Sequence, residues 1–113
     1  MKLTRREVLT DSVAATRAIA EKRFVTVGGA YPAANARPWG VSRSEAASGE
    51  MMAVDLLGIA IVETTAAAIA AGAAVKVAAD GRAVAQAGNG QIAGYAKTAG
   101  PAAGGFIEIF LTP

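Results

Sequence analysis

The sequence predicts a mainly β domain, a small barrel or sandwich built from two pseudo-repeated halves and preceded by an N-terminal arm. Three observations lead there. The chain is written twice: Ala18 to Val27 reads AIAEKRFVTV and Ala68 to Val77 reads AIAAGAAVKV. Gly40-Val41 then matches Gly94-Tyr95, and Gly49 to Leu56 lines up with Gly104 to Leu111, the spacing drifting from 50 to 55 as loops differ. A repeat of this length marks one supersecondary unit that cannot bury its apolar face alone and is completed by its copy. Short strand-like runs also recur at roughly ten-residue spacing, the habit of a small barrel or sandwich. Finally, Gly and Pro separate those runs where turns are needed.

Residues 1–17 are polar and charged, with few large apolar groups, and read as an arm, extended or a short helix, of the kind often ordered only by a partner. Residues 18–113 form a single β domain, with halves at about 18–57 and 58–113. Arg23 to Val27 is the first strand, its β-branched residues gathered in Val25-Thr26-Val27. Gly28-Gly29 ends it, and Ala30 to Pro38, with Tyr31-Pro32 and Arg37-Pro38, is a loop. Trp39 to Ser42 is a strand. Ser42-Arg43-Ser44-Glu45 has the pattern of a capping box, but the Ala-Ala-Ser-Gly that follows leaves room for one helical turn at most. Met51 to Glu63, the most hydrophobic stretch, divides at Gly58 into a strand ending the first half and one opening the second.

In the second half, Thr64 to Ala71 has helical propensity, yet it matches Ala14 to Glu21 and Gly72 interrupts it, so a loop or single turn is expected. Val75-Lys76-Val77 alternates. Asp80-Gly81 signals a tight hairpin, because a type I′ turn needs positive φ at both central residues. Arg82 to Ala87 returns, Gly88-Asn89-Gly90 turns again, and Gln91 to Lys97 is a strand. Ala99 to Gly105 is a loop. Phe106 to Leu111 closes the chain, with Ile107 and Ile109 on one face and Phe106, Glu108 and Phe110 on the other.

With 113 residues, one domain buries roughly two-thirds of its unfolded surface, enough for a core without staples. Aromatics are 5%, so the core is built from Val, Ile, Leu, Met and small residues. Cysteine and histidine are both absent, which removes disulfides, thiolate nucleophiles, the usual zinc ligands and the commonest general base. The serines have no histidine partner and no G-x-S-x-G elbow. Gly88-x-Gly90-x-x-x-Gly94 misses the dinucleotide spacing and precedes a strand, not a helix. The carboxylates are scattered along the chain. We therefore expect no catalytic residues, no cofactor, no metal and no enzymatic activity. Met1 to Glu7 is charged and no apolar segment follows it, so no secretion signal is expected, and no run approaches the roughly 20 apolar residues of a membrane span.

Charge is unevenly spread. Residues 1–43 carry eight basic and three acidic side chains, net +5, while residues 44–113 carry three basic and six acidic, net −3. This is either a solvated N-terminus or a basic arm that meets an acidic partner. Arg5, Arg6 and Arg17 are the arm's candidate contacts. Tyr31, Arg37 and Trp39 lie close together beside two prolines; they are a candidate contact patch, unless Trp39 caps the core. Nucleic acid is disfavoured as a partner, because the strands carry few of the interleaved basic and aromatic residues such sites use.

The second half carries a resemblance. Gly58-Ile59-Ala60, Ala68-Ile69-Ala70-Ala71-Gly72-x-x-Val75-Lys76-Val77, Ala79-Asp80-Gly81-Arg82-Ala83-Val84, Ile92-Ala93-Gly94-Tyr95-Ala96 and Gly104-Gly105-x-Ile107-Glu108-Ile109 together resemble the capsid cement, or head-decoration, family of tailed bacteriophages. The match runs over residues 58–111; over 1–57 only the internal repeat carries it. The resemblance implies a non-enzymatic structural virion protein, made in the bacterial host cytoplasm and bound to the capsid exterior. Its implied partners are the major capsid protein and other copies of itself, as dimers or trimers at capsid symmetry sites. The alternative is a small β-barrel binding module for nucleic acid or a cellular protein. A biotinyl or lipoyl carrier also shows two quasi-repeated halves, but it presents lysine at a hairpin tip, and here Lys76 precedes the Asp80-Gly81 tip within its strand.

Overall fold

The computed structural model describes residues 6–86, 88 and 90–111. Eight strands follow in chain order: β1 (Arg6–Ala14), β2 (Phe24–Val25), β3 (Gly40–Ser42), β4 (Met51–Glu63), β5 (Ala74–Val77), β6 (Ala83–Ala85), β7 (Gly94–Ala96) and β8 (Phe106–Leu111). All join one sheet in the order β2-β3-β4-β8-β7-β5-β6, with β1 also paired to β4. The named ladders are antiparallel. The result is mainly β and nearly closed, like a barrel.

The repeat is real at the level of pairing. In the first half β1 pairs β4, β4 pairs β3 and β3 pairs β2. In the second half the later part of β4 pairs β8, β8 pairs β7 and β7 pairs β5. An isolated bridge, Ile19↔Ala46 in one half and Ile69↔Gly100 in the other, closes each unit at the same place. Equivalent side chains fill each interior: Val13, Ile19, Val25, Met52 and Val54 in the first half, Val62, Ile69, Val75, Ile107 and Ile109 in the second. Gly40 and Gly94 are equivalent too. A Cβ on Gly40 would run into the Asp55 carbonyl oxygen, and one on Gly94 into that of Phe110. Each unit therefore needs a residue without a side chain where its last strand but one crosses close to its last.

The halves are joined by packing and by charge. Phe24 and Val41, from the first half, are buried within the second half's core. Arg23 donates through Nε to Glu63 Oε1 at 3.0 Å, and Arg82 donates through Nε to Glu63 Oε2 at 3.0 Å. Arg23 also donates to the Asp80 carbonyl at 3.1 Å. Burial pushes the Glu63 carboxyl up, but the hydrogen bonds from Arg82 and Arg23, with their positive charge, outweigh it and hold its pKa below the ordinary 4.5.

Several expectations change. Residues 6–14 of the expected arm are extended, but they are ordered by the chain itself rather than by a partner: they form β1, because the long β4 offers them an edge over Met51 to Ile59. Met51 to Glu63 is one continuous strand. At Gly58 it changes partners rather than breaking, from β3 to β8 on one side. The capping box does not form. Ser42 lies in β3, and its hydroxyl donates to the Ala20 carbonyl at 2.8 Å. Of the two Val-x-Val strands, Val25 and Val75 are equally buried, but β2 stops at Val25 and Val27 is exposed where Val77 is buried. The Asp80-Gly81 turn has positive φ at both residues, 58° and 72°, with Arg82 N–H bonded to the Ala79 carbonyl. Residues 64–71 form no helix. The return strand is Ala83–Ala85, and the later strand Gly94–Ala96. Asn89 of the Gly88-Asn89-Gly90 turn lies outside the described residues.

Candidate partner-binding surfaces

Trp39 does not cap the core. Its backbone N–H is fixed to the Val25 carbonyl at 2.8 Å, just before β3 begins. Its indole Nε1 donates to Asp11 Oδ2 on β1 at 3.2 Å. The ring so held forms one wall of an open groove of about 560 Å³, whose apolar lining includes Leu9, Val27, Leu56 and Leu57, with Arg37 also lining it. Leu9 and Val27 are exposed, and Leu56 and Leu57 half-buried. The irregular loop from Thr26 to Pro38 shapes this side. It is pinned by Thr26 N–H to the Ala30 carbonyl and by Asn35 N–H to the Val77 carbonyl, at 2.8 and 2.9 Å.

Tyr31 goes elsewhere. It packs against the first half's core, and its hydroxyl accepts from Ala20 N–H at 2.9 Å. The Arg17 guanidinium lies over its ring, 4.9 Å from the centroid, with Arg23 at 6.0 Å, in range for cation–π attraction. Of the candidate contacts, Arg37 and Trp39 thus share the groove, Arg17 and Tyr31 form a separate stack, and Arg6 stands exposed at the start of β1. Arg5 lies outside the described residues.

Two features went beyond the residues singled out by sequence. The outer edge of β1 pairs with no strand among the described residues, and Val8 and Leu9 on it are exposed. In the second half, Ala74, Tyr95 and Phe110 form a cross-strand row, with Phe110 also opposite Ile59. Tyr95, Phe106 and Phe110 are exposed. The alternation of Phe106 and Phe110 against Ile107 and Ile109 was the signal for this face; for the edge of β1 there was none, because Val8 and Leu9 are adjacent rather than alternating.

Among the described residues, no cluster of three or more Asp or Glu side chains could hold a metal ion, and the chain has no His or Cys. Two further charged pairs have their carboxylates on strands: Lys97 to Glu108 of β8 at 3.2 Å and Arg43 to Asp55 of β4 at 3.5 Å. Lys76 lies inside β5, away from any hairpin tip.

Fold and surfaces together define a duplicated all-β module that presents an open strand edge, an apolar groove and an aromatic row. The chain belongs to the phage cement protein family, whose sequence profile matches residues 3–111. Its role is accordingly structural and associated with the phage capsid, and its place is the virion. The fold is similar to that of the N base of head fiber gp8.5 of bacteriophage phi29, with a TM-score of 0.72 at 18% sequence identity, covering 92% of this chain and 93% of that one. No curated protein matches the sequence.

Proposed function

We propose that this protein binds the outer surface of the capsid and stabilises contacts between major capsid subunits, as a cement with no catalytic activity, and that copies of it associate as dimers or trimers at capsid symmetry sites. The open outer edge of β1 carries this reading. An unpaired strand edge is a template for pairing with another chain, and soluble proteins ordinarily blunt such edges. Here register shifts between Glu7 and Leu9 and between Leu9 and Thr10 bend the strand, yet the edge keeps Val8 and Leu9 exposed. A capsid segment added to it would gain backbone hydrogen bonds for affinity and side-chain pockets for specificity. Arg6, at the start of the same strand, and the net +5 of residues 1–43 favour an acidic docking surface, which raises the on-rate and fixes register more than it adds affinity.

The test is a density map of capsids saturated with the purified protein, paired with a heat-release assay of the packaged genome. The reading expects density on the outer surface, spanning neighbouring capsid subunits along β1, and a higher release temperature than for undecorated capsids. Density confined to the middle of one subunit, with an unchanged release temperature, would overturn it.

A further inference from the structure

The two halves share a fold but not an environment. In the second half Val77, Ala93 and Leu111 are sealed in a core that Phe24 and Val41 of the first half complete. By strand pairing, their equivalents in the first half are Val27, Trp39 and Leu56, and these line the open groove. Val27 is 66% exposed where Val77 is 0%, and Trp39 is 43% exposed where Ala93 is 3%. The converse holds on the other side. Phe24, Val41 and Asp55 form a cross-strand row in the first half, none more than 2% exposed. Their equivalents are Ala74, Tyr95 and Phe110, of which Tyr95 is 43% and Phe110 49% exposed. One end of the duplicated unit is an unfilled socket, and the other is an uncovered plug.

We propose that the Tyr95–Phe110 row of one copy docks into the Val27–Trp39 groove of a second copy, repeating between molecules the contact that the two halves make within one. The occupant of the groove is identified by the molecule's own interior, where the equivalent socket is already filled by Phe24 and Val41, the counterparts of Ala74 and Tyr95. Exposed apolar surface on both sides drives the contact, and Arg37 in the groove lining can stack on an incoming aromatic ring. The contact is heterologous, plug to socket, so it closes as a ring when the rotation between copies allows. A closed ring leaves neither surface uncovered. This rests on the self-association proposed above and specifies its surfaces.

Sedimentation velocity on the full chain and two variants, Val27→Lys in the socket and Tyr95→Lys in the plug, tests it. Both side chains are exposed, so each variant is expected to melt like the wild type. The wild type is expected to sediment as an oligomer, and each variant to self-associate more than about tenfold more weakly. An equimolar mixture of the two variants retains one intact plug and one intact socket, so it is expected to give a 1:1 pair and nothing larger. Variants that sediment like the wild type, or a mixture with no 1:1 species, overturn the docking and leave self-association standing. A wild type that stays monomeric overturns both, and groove variants that then lose capsid attachment assign the groove to the capsid instead.

Discussion

A Cβ at position 81 meets two obstacles at once. Gly81 has φ of 72°, and an added Cβ would lie 2.5 Å from the Phe24 carbonyl oxygen and 2.8 Å from Tyr31 Cδ1. The hairpin tip of the second half is thus pressed against the first half, so strain and a clash act together. Gly81→Val is expected to lower stability by roughly 2 kcal/mol or more, read as a lower melting temperature with unchanged native circular dichroism. Glu63 gives a second prediction at this scale. Its folded pKa is depressed, so its contribution to stability is fully present above the ordinary value of 4.5 and is lost as pH falls through the lower folded value. Stability of the wild type should therefore fall as pH is lowered from about 4.5 to the folded value. Glu63→Gln should be less stable at neutral pH, by on the order of 1 kcal/mol, and should lose this part of the acid dependence. Urea titrations of both proteins across that range check the sign; a variant with the same acid slope as the wild type would count against it.

At the scale of elements, β4 organises the sheet and β1 depends on it. β4 alone runs through both halves, with β1 on one side and β3, then β8, on the other. Most of this was legible in the sequence, because equivalent interior residues recur in both copies, Val25 and Val75 at an offset of 50 and Val54 and Ile109 at 55. The join at Gly58 was legible as a boundary but not as a continuous strand: chain direction persists while partners change, and no local signal distinguishes the two. β1 was illegible for another reason. From Arg6 to Ser12 no described side chain on it is buried, so the period-two pattern that marks a strand has nothing to impose it. The groove was hidden too, since Leu9, Val27 and Leu56 lie far apart in sequence and Val27 matches a residue that is buried in the other copy. Deleting residues 2–12 removes most of β1 but leaves the buried Val13 and Ala15 in place. The truncated protein should remain folded with a lower melting temperature, because the lost β4 ladder bonds pass to water. Its attachment to capsids should be weaker, and that of the full chain should weaken as salt rises. Co-sedimentation with capsids across a salt series measures both. Full-strength, salt-insensitive binding by the truncated chain would exclude β1 as the docking edge.

At the scale of the whole molecule, duplication has not made two independent domains. The second half's core is closed by Phe24 and Val41 from the first, and Glu63 ties Arg23 of one half to Arg82 of the other. Neither half can be removed without opening an apolar surface or stranding a charge. Unfolding should therefore be a single cooperative transition, with coincident fluorescence and circular dichroism curves. Phe24 is the sharpest probe of this, because it belongs to one half by sequence and to the other by packing. Phe24→Ala should cost about 3–5 kcal/mol, the range for a fully buried aromatic residue, and should destabilise both halves equally, leaving one transition at lower denaturant. The separate fragments 1–57 and 58–113 should each lack cooperative unfolding and recover native circular dichroism only when mixed. Two resolved transitions in the Phe24→Ala variant, or a cooperative melt from either fragment alone, would show that the halves fold independently and that the shared core does not unite them.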